Sequence, residues 1–163
     1  MRPTTKISGP LQEAIRSGQI VVVPFFFPTE SAGESAYSAL VNEFKVQHNL
    51  PDAAQRGFKW ALGNAISMVA DESHFDEVVE LIRDKRHGTS RDMMVLRLSR
   101  LDPNRAVDVL IELLGDDEVA GQALIALGKL KARKARLQIE RFVEHPNPWV
   151  REEAHKALAE LNK

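Results

Sequence analysis

Asp116–Lys163 reads DDEVAGQALIALGKLKARKARLQIERFVEHPNPWVREEAHKALAELNK, and the period of this stretch decides the fold. Val119, Ala123, Leu127 and Leu130 fall at the spacing of one buried helical stripe. They return as Val150, Ala154, Leu158 and Leu161, a shift of 31 positions (from 119 to 150). One helical face repeated at a fixed distance predicts stacked helix pairs, because a single pair cannot bury both of its faces and a stack can.

Working upstream, the same stripe recurs as Ser90, Met94, Leu98 and Leu101, and before that as Gly57, Ala61, Ala65 and Met68. A second helix follows each first one. Its core positions are Phe75, Val79 and Ile82, then Ala106, Leu110 and Leu113, then Ala135, Ile139 and Phe142. The turns between them carry start chemistry: Ser73 is expected to cap the helix at His74, Asp102 with Pro103 opens one second helix, and Asn147 with Pro148 opens the last helix. Small residues at Gly57, Ala61, Ala65, Ala123 and Ala154 predict close approach of neighbouring helices.

Nearer the start, Tyr37, Leu40, Val41 and Phe44 form one buried stripe on a helix expected over about 35–47, and Asp52 is a plausible N-cap for the next. A short helix is expected over Leu11–Ser17, with Pro10 in its first turn and Gly18 as a stop. IVVVPFFFP, residues 20–28, is the one segment that favours extended backbone. Residues 1–34 are read as an irregular N-terminal cap on a repeat domain of residues 35–163. Phe25, Phe26 and Phe27 belong either to the core of that cap or to an exposed docking or dimerisation patch.

The residues Asp117, Val119, Ala123, Leu124, Leu127, Gly128 and Leu130, then Pro148, Val150, Arg151, Ala154, Leu158 and Leu161, give the chain a resemblance to the HEAT-like repeat family. It resembles the short bacterial form named after phycobilisome lyases. Ser90, Met94 and Gly121 depart from the family pattern. The resemblance implies an all-α, right-handed α-α superhelix, an armadillo-like solenoid of about four to five helix pairs. The family motif is structural, so it carries no catalytic residue with it.

Composition narrows the function. With 163 residues and 44% hydrophobic content the chain can bury a substantial core. Its 22 basic and 23 acidic side chains leave a formal charge of −1, which argues against a surface that grips nucleic acid throughout. The absence of cysteine removes disulfides, thiol nucleophiles and thiolate metal sites, and suits a cytoplasmic, reducing setting. The opening MRPTTKISGPLQEAIRSGQ does not read as a secretory signal, and the longest apolar run, residues 20–27, is broken by Pro24 and far below the roughly 20 residues of a membrane helix. The expectation is a protein that does not engage the membrane.

Equivalent positions stack, so charge is read across repeats. On the second helices Glu77, Glu80, Asp108, Glu112, Glu140 and Glu144 predict an acidic concave face that would steer a basic partner. At the turn inside each pair Arg100, Arg105, Lys129, Lys131, Arg133, Lys134 and Arg136 predict a basic edge. Both patterns also fit a solvated surface, and cations in a last helical turn favour the helix dipole. Trp60 and Trp149 are read as packing between helices, with contact to a nucleobase as the sharper alternative. His48, His74, His87, His145 and His155 show no metal-binding spacing, and neither a phosphate loop nor a nucleophile elbow occurs. The function expected is therefore a non-enzymatic protein-binding module with no cofactor, docking its partner on the concave face. An immunity or antitoxin-like inhibitor is its specific version. The alternative is a nucleic-acid backbone binder using the basic edge, on a scaffold like that of HEAT-like DNA glycosylases. A monomer or weak homodimer is expected.

Overall fold

The computed structural model describes residues 8–17, 20–23, 25–29, 33–46 and 52–163. The chain divides into two compact units, Met1–Ala70 and Asp71–Lys163. In the first, α1 spans Gly9–Arg16 with Pro10 in its opening turn, and it buries Leu11 and Ala14. The stretch after it is extended, as the run of Val and Phe predicts: β1 (Ile20–Val23) pairs antiparallel with β2 (Phe25–Pro28), Val21 opposite Phe27 and Val22 opposite Phe26. The expected irregular cap is thus an ordered helix and ladder. Gly18, Pro24 and the side chains of residues 20–28, including the Phe25–Phe27 patch, lie outside the described residues, as does His48.

α2 (Glu34–Lys45) buries Tyr37, Leu40, Val41 and Phe44, the stripe read from the sequence. The backbone amide of Ser8 donates to Glu43 Oε2 at 2.9 Å, tying the start of α1 to α2. α3 (Asp52–Val69) packs on α2 and on β2. Its buried face runs through Ala61, Leu62, Ala65 and Ile66, whereas Gly57 is exposed and Met68 is 48% exposed. These two ends of the expected stripe therefore face water, and the repeat register does not extend evenly into α3.

The second unit is helical throughout its regular elements: α4 (Phe75–Arg83), α5 (Asp92–Leu101), α6 (Pro103–Leu113), α7 (Ala120–Lys129), α8 (Arg136–Glu140) and α9 (Pro148–Leu161). The second-helix core positions Phe75, Val79, Ile82, Ala106, Leu110, Leu113, Ala135 and Ile139 are buried, and Phe142 is half-buried against His145 at 5.8 Å between ring centres. Caps fix the starts. Asp102 Oδ1 accepts from the amides of Asn104 and Arg105, and Asn147 Oδ1 accepts from that of Trp149. At the entrance to α4 the capping side chain is Asp71 rather than Ser73: its carboxylate accepts from the Ser73 amide while His74 Nδ1 accepts from the Asp71 amide.

α7 is the central element, packed against α5, α6 and α9. Two glycines set its distance from α9. A Cβ at Gly121 would lie 2.0 Å from the Trp149 ring, and one at Gly128 would lie 2.9 Å from Ala157 Cα. These contacts join positions 28 and 29 apart (121 to 149, 128 to 157) in the same order along both helices, so α7 and α9 run parallel. Gly121, a departure from the family pattern, makes room for an indole.

The starts of α5 and α7 are held by Arg91, which is fully buried. Its guanidinium donates to Gly88 O at 2.7 Å, Ile82 O at 2.8 Å, Asp116 Oδ2 at 2.8 Å and Glu118 Oε2 at 3.0 Å. Arg91 thereby joins the end of α4, the following 3-10 turn and the α6–α7 loop. Gly88 serves this clamp with φ +54°, a left-handed conformation that a side chain rarely adopts.

Candidate functional site

The second helices are connected by ion pairs that cross from one helix pair to the next. Arg83 on α4 makes a two-pronged contact with Glu112 on α6, at 3.1 and 2.5 Å. One α4 residue seven positions earlier, Asp76, pairs with Arg105 at the start of α6. Both partners are 29 residues apart, and the constant offset makes α4 and α6 parallel neighbours. Arg105 also lies over the Phe75 ring at 4.2 Å. Farther on, Lys134 Nζ donates to Asp108 at 2.6 Å, and Arg136 reaches Asn162 at 2.5 Å and Glu140 at 3.8 Å.

These contacts interleave the two expected charge ladders. Of the acidic set, Asp108, Glu112 and Glu140 have cation partners, Glu77 is half-buried and engaged, and Glu80 and Glu144 are exposed. The second-helix surface is therefore one of mixed charge. The same helices carry Leu137, which is 70% exposed on α8 and is the most exposed large apolar side chain among the described residues.

Of the basic set, Arg105, Lys134 and Arg136 are consumed by the pairs above. Arg100, Lys129, Lys131 and Arg133 are exposed, and among the described residues no carboxylate forms an ion pair with them within 4.0 Å. Lys131 has φ +49°. It closes α7 in a Schellman turn, with Ala132 N donating to Leu127 O at 3.1 Å and Lys131 N to Gly128 O at 2.9 Å.

Two open grooves flank these surfaces. One of about 410 Å³ lies between α7 and α9, lined by Ile125, Gly128, Lys129, Glu153, Lys156, Ala157 and Glu160. Its charges are largely matched, since Lys156 pairs with Glu152 and Glu153 at 2.8 and 2.9 Å. The other, about 230 Å³, lies by Arg83, Lys85, Glu112 and Asp116. Trp149 is 42% exposed while packed on Gly121, and Trp60 is 37% exposed, so neither indole is enclosed between helices.

Beside the Arg91 clamp two carboxyls are displaced in opposite directions. Burial raises Asp92 to about 6, with Arg91 opposing and Glu118 adding to the rise, and its Oδ1 is buried without a hydrogen bond. Burial also pushes Asp116 upward, but hydrogen bonding and charge from Arg91, the Glu118 amide and Lys85 outweigh it and hold Asp116 below its ordinary value. Asp84 is held well below the usual carboxylate range, chiefly by the hydrogen bond from Arg86. No group of three or more His, Asp or Glu side chains among the described residues is arranged to hold a metal ion, and no described helix is long and apolar enough to cross a membrane.

No protein-family model, curated protein or solved structure matches this chain.

Proposed function

We propose that Asp71–Lys163 is a HEAT-like, right-handed stack of helix pairs that binds a partner protein without chemistry of its own, docking it on the layer of second helices. Leu137 carries this reading. A large apolar side chain left 70% exposed, on a layer where Asp108, Glu112 and Glu140 are matched by cations, combines the apolar anchor and the reduced charge of a protein-interface centre. The fixed 29-residue offset of the α4–α6 ion pairs supports the repeat reading, because it lays equivalent positions side by side into an extended surface. Because Asp108, Glu112 and Glu140 are matched by cations, the partner is one of mixed charge rather than a basic one. An immunity or antitoxin-like inhibitor remains the specific version of this reading, motivated by small size and the repeat architecture, with less support from the acidic groove now that three of its carboxylates meet cations.

The test compares the full chain with Leu137→Arg and Glu80→Lys as baits in nuclease-treated native lysate. A discrete protein retained by the wild type, lost by Leu137→Arg and weakened by Glu80→Lys supports docking on this layer. Equal retention by Leu137→Arg sinks it. Because Leu137 is exposed, the variant should unfold at the wild-type midpoint, which circular dichroism checks.

A further inference from the structure

α5 and α7 are each ten residues long, and Arg91 holds their starts together through Asp116 and Glu118. Packed against each other from tied starts, the two helices end together, so Arg100 in the last turn of α5 and Lys129 in that of α7 emerge on one edge. The turn that follows α7 adds Lys131 and Arg133 to that edge. Elsewhere in this unit most exposed cations are matched: Arg83, Arg86, Arg105, Lys134, Arg136, Lys156 and Lys163 have a carboxylate partner, and Arg141 stands as the exception. Here four cations form no ion pair within 4.0 Å; the carboxylate that feels Lys131, that of Glu160, is already paired with Lys163. The two helix C-termini offset about half a charge each, which leaves a surplus of about three.

Lys131 adds an independent sign. A non-glycine residue at φ +49° costs roughly 1 kcal/mol, and glycine is the residue that a Schellman turn favours at this position. The chain carries that cost at an exposed site and gains a positive charge there. Little apolar surface accompanies it: the exposed large hydrophobic residues of the second unit, among those described, are Leu137 on α8, one turn beyond Arg133, and Trp149 at the opposite end of α7, beside Gly121. A protein interface of standard size needs an apolar centre. A phosphate backbone needs only cations.

We propose that the edge formed by Arg100, Lys129, Lys131 and Arg133 holds the phosphate backbone of a nucleic acid, independently of base sequence. This surface adjoins the second-helix layer at Arg133, and the proposal does not depend on protein docking there.

The test is fluorescence anisotropy of a labelled duplex of about 20 base pairs with the full chain, across a salt series. About three neutralised phosphates give a log–log salt slope near −2.7, hence about 40-fold weaker binding from about 50 to about 200 mM salt. Replacing Arg100, Lys129 and Arg133 by Ala together with Lys131→Gly should cost at least about tenfold in affinity and flatten the slope. Removing four exposed cations elsewhere, by Ala at Arg16, Arg56, Lys85 and Arg86, should cost much less. A duplex that does not bind at low salt, or equal losses from the two sets of substitutions, overturns the proposal. Polyglutamate of matched charge that competes as well as DNA overturns it too, because the ligand would then be an acidic protein segment. Far-UV circular dichroism of each variant confirms that the helices are retained.

Discussion

Gly128→Ala tests how closely α7 and α9 approach. In an unobstructed helix interior the change stabilises by about 1 kcal/mol, because alanine leaves the unfolded chain less entropy to lose. At Gly128 the new methyl would stand 2.9 Å from Ala157 Cα and 3.2 Å from Ala157 Cβ. The nearer of these atoms belongs to the backbone, so no rotamer change relieves the clash, and the helices must separate. Overpacking of this kind costs about 1–3 kcal/mol. Against the propensity gain, the expected net loss is about 1 kcal/mol, or about 2–4 °C in melting temperature for a chain of this length. Thermal and urea unfolding followed by circular dichroism measure it. Gly57→Ala is the control: nothing lies within 4 Å of the added methyl on exposed α3, so it should stabilise by about 0.5–1 kcal/mol. Adding Ala157→Gly to Gly128→Ala should restore little, since the clash with the α9 backbone persists and a second glycine weakens α9. If Gly128→Ala stabilises as much as Gly57→Ala, the close approach of α7 and α9 is refuted.

Arg91→Met should destabilise by about 3–5 kcal/mol, because it leaves Asp116 and Glu118 beside a buried site without their cation; a loss below about 1 kcal/mol in urea unfolding would show that the clamp is not holding the α5 and α7 starts. Asp92 titrates near 6 folded and at its ordinary 3.8 unfolded, so between these values the folded state binds the extra proton and its stability falls as pH rises. After allowance for partial exposure the fall is about 1 kcal/mol, and in unfolding curves from about pH 4 to about pH 7 Asp92→Asn should flatten it. Lys131→Gly should stabilise by about 0.5–1 kcal/mol while weakening DNA binding, a combination that a purely structural lysine would not show.

What the sequence shows well is whatever repeats locally. The stripe positions from Phe75 to Ile139, all but the half-buried Leu130, are buried where the helical period puts them, and Asp102 and Asn147 cap where a short polar residue precedes proline. Ser73 misleads because Asp71 offers the same chemistry two positions earlier with a stronger acceptor. Met68 and Gly57 mislead because α3 buries the face through Leu62 and Ile66, and small or flexible residues match a repeat pattern by chance. The charge ladders are visible as residues but not as partners. Whether Glu112 stands free or meets Arg83 depends on the lateral offset of two helices 29 positions apart, which no local pattern encodes. Arg91 is hidden for the same reason: its carboxylates lie 25 and 27 positions downstream, across two entire helices.

The Arg91 clamp also determines where this part of the molecule can give. At α7 and α9 the backbones touch at Gly128 and Ala157, with no layer of side chains to slide over one another. α5 packs against α7 and buries Met94 and Leu98, of which methionine adapts readily to a changed gap. Pinned at one end, α5 and α7 form a pair of legs whose separation, were it to change, would change like that of a pair of compasses. The opening would be widest at the tips, where it would reset the distance between Arg100 and Lys129. Any rotation at the buried guanidinium would therefore be read out as a change of charge spacing along the outer edge.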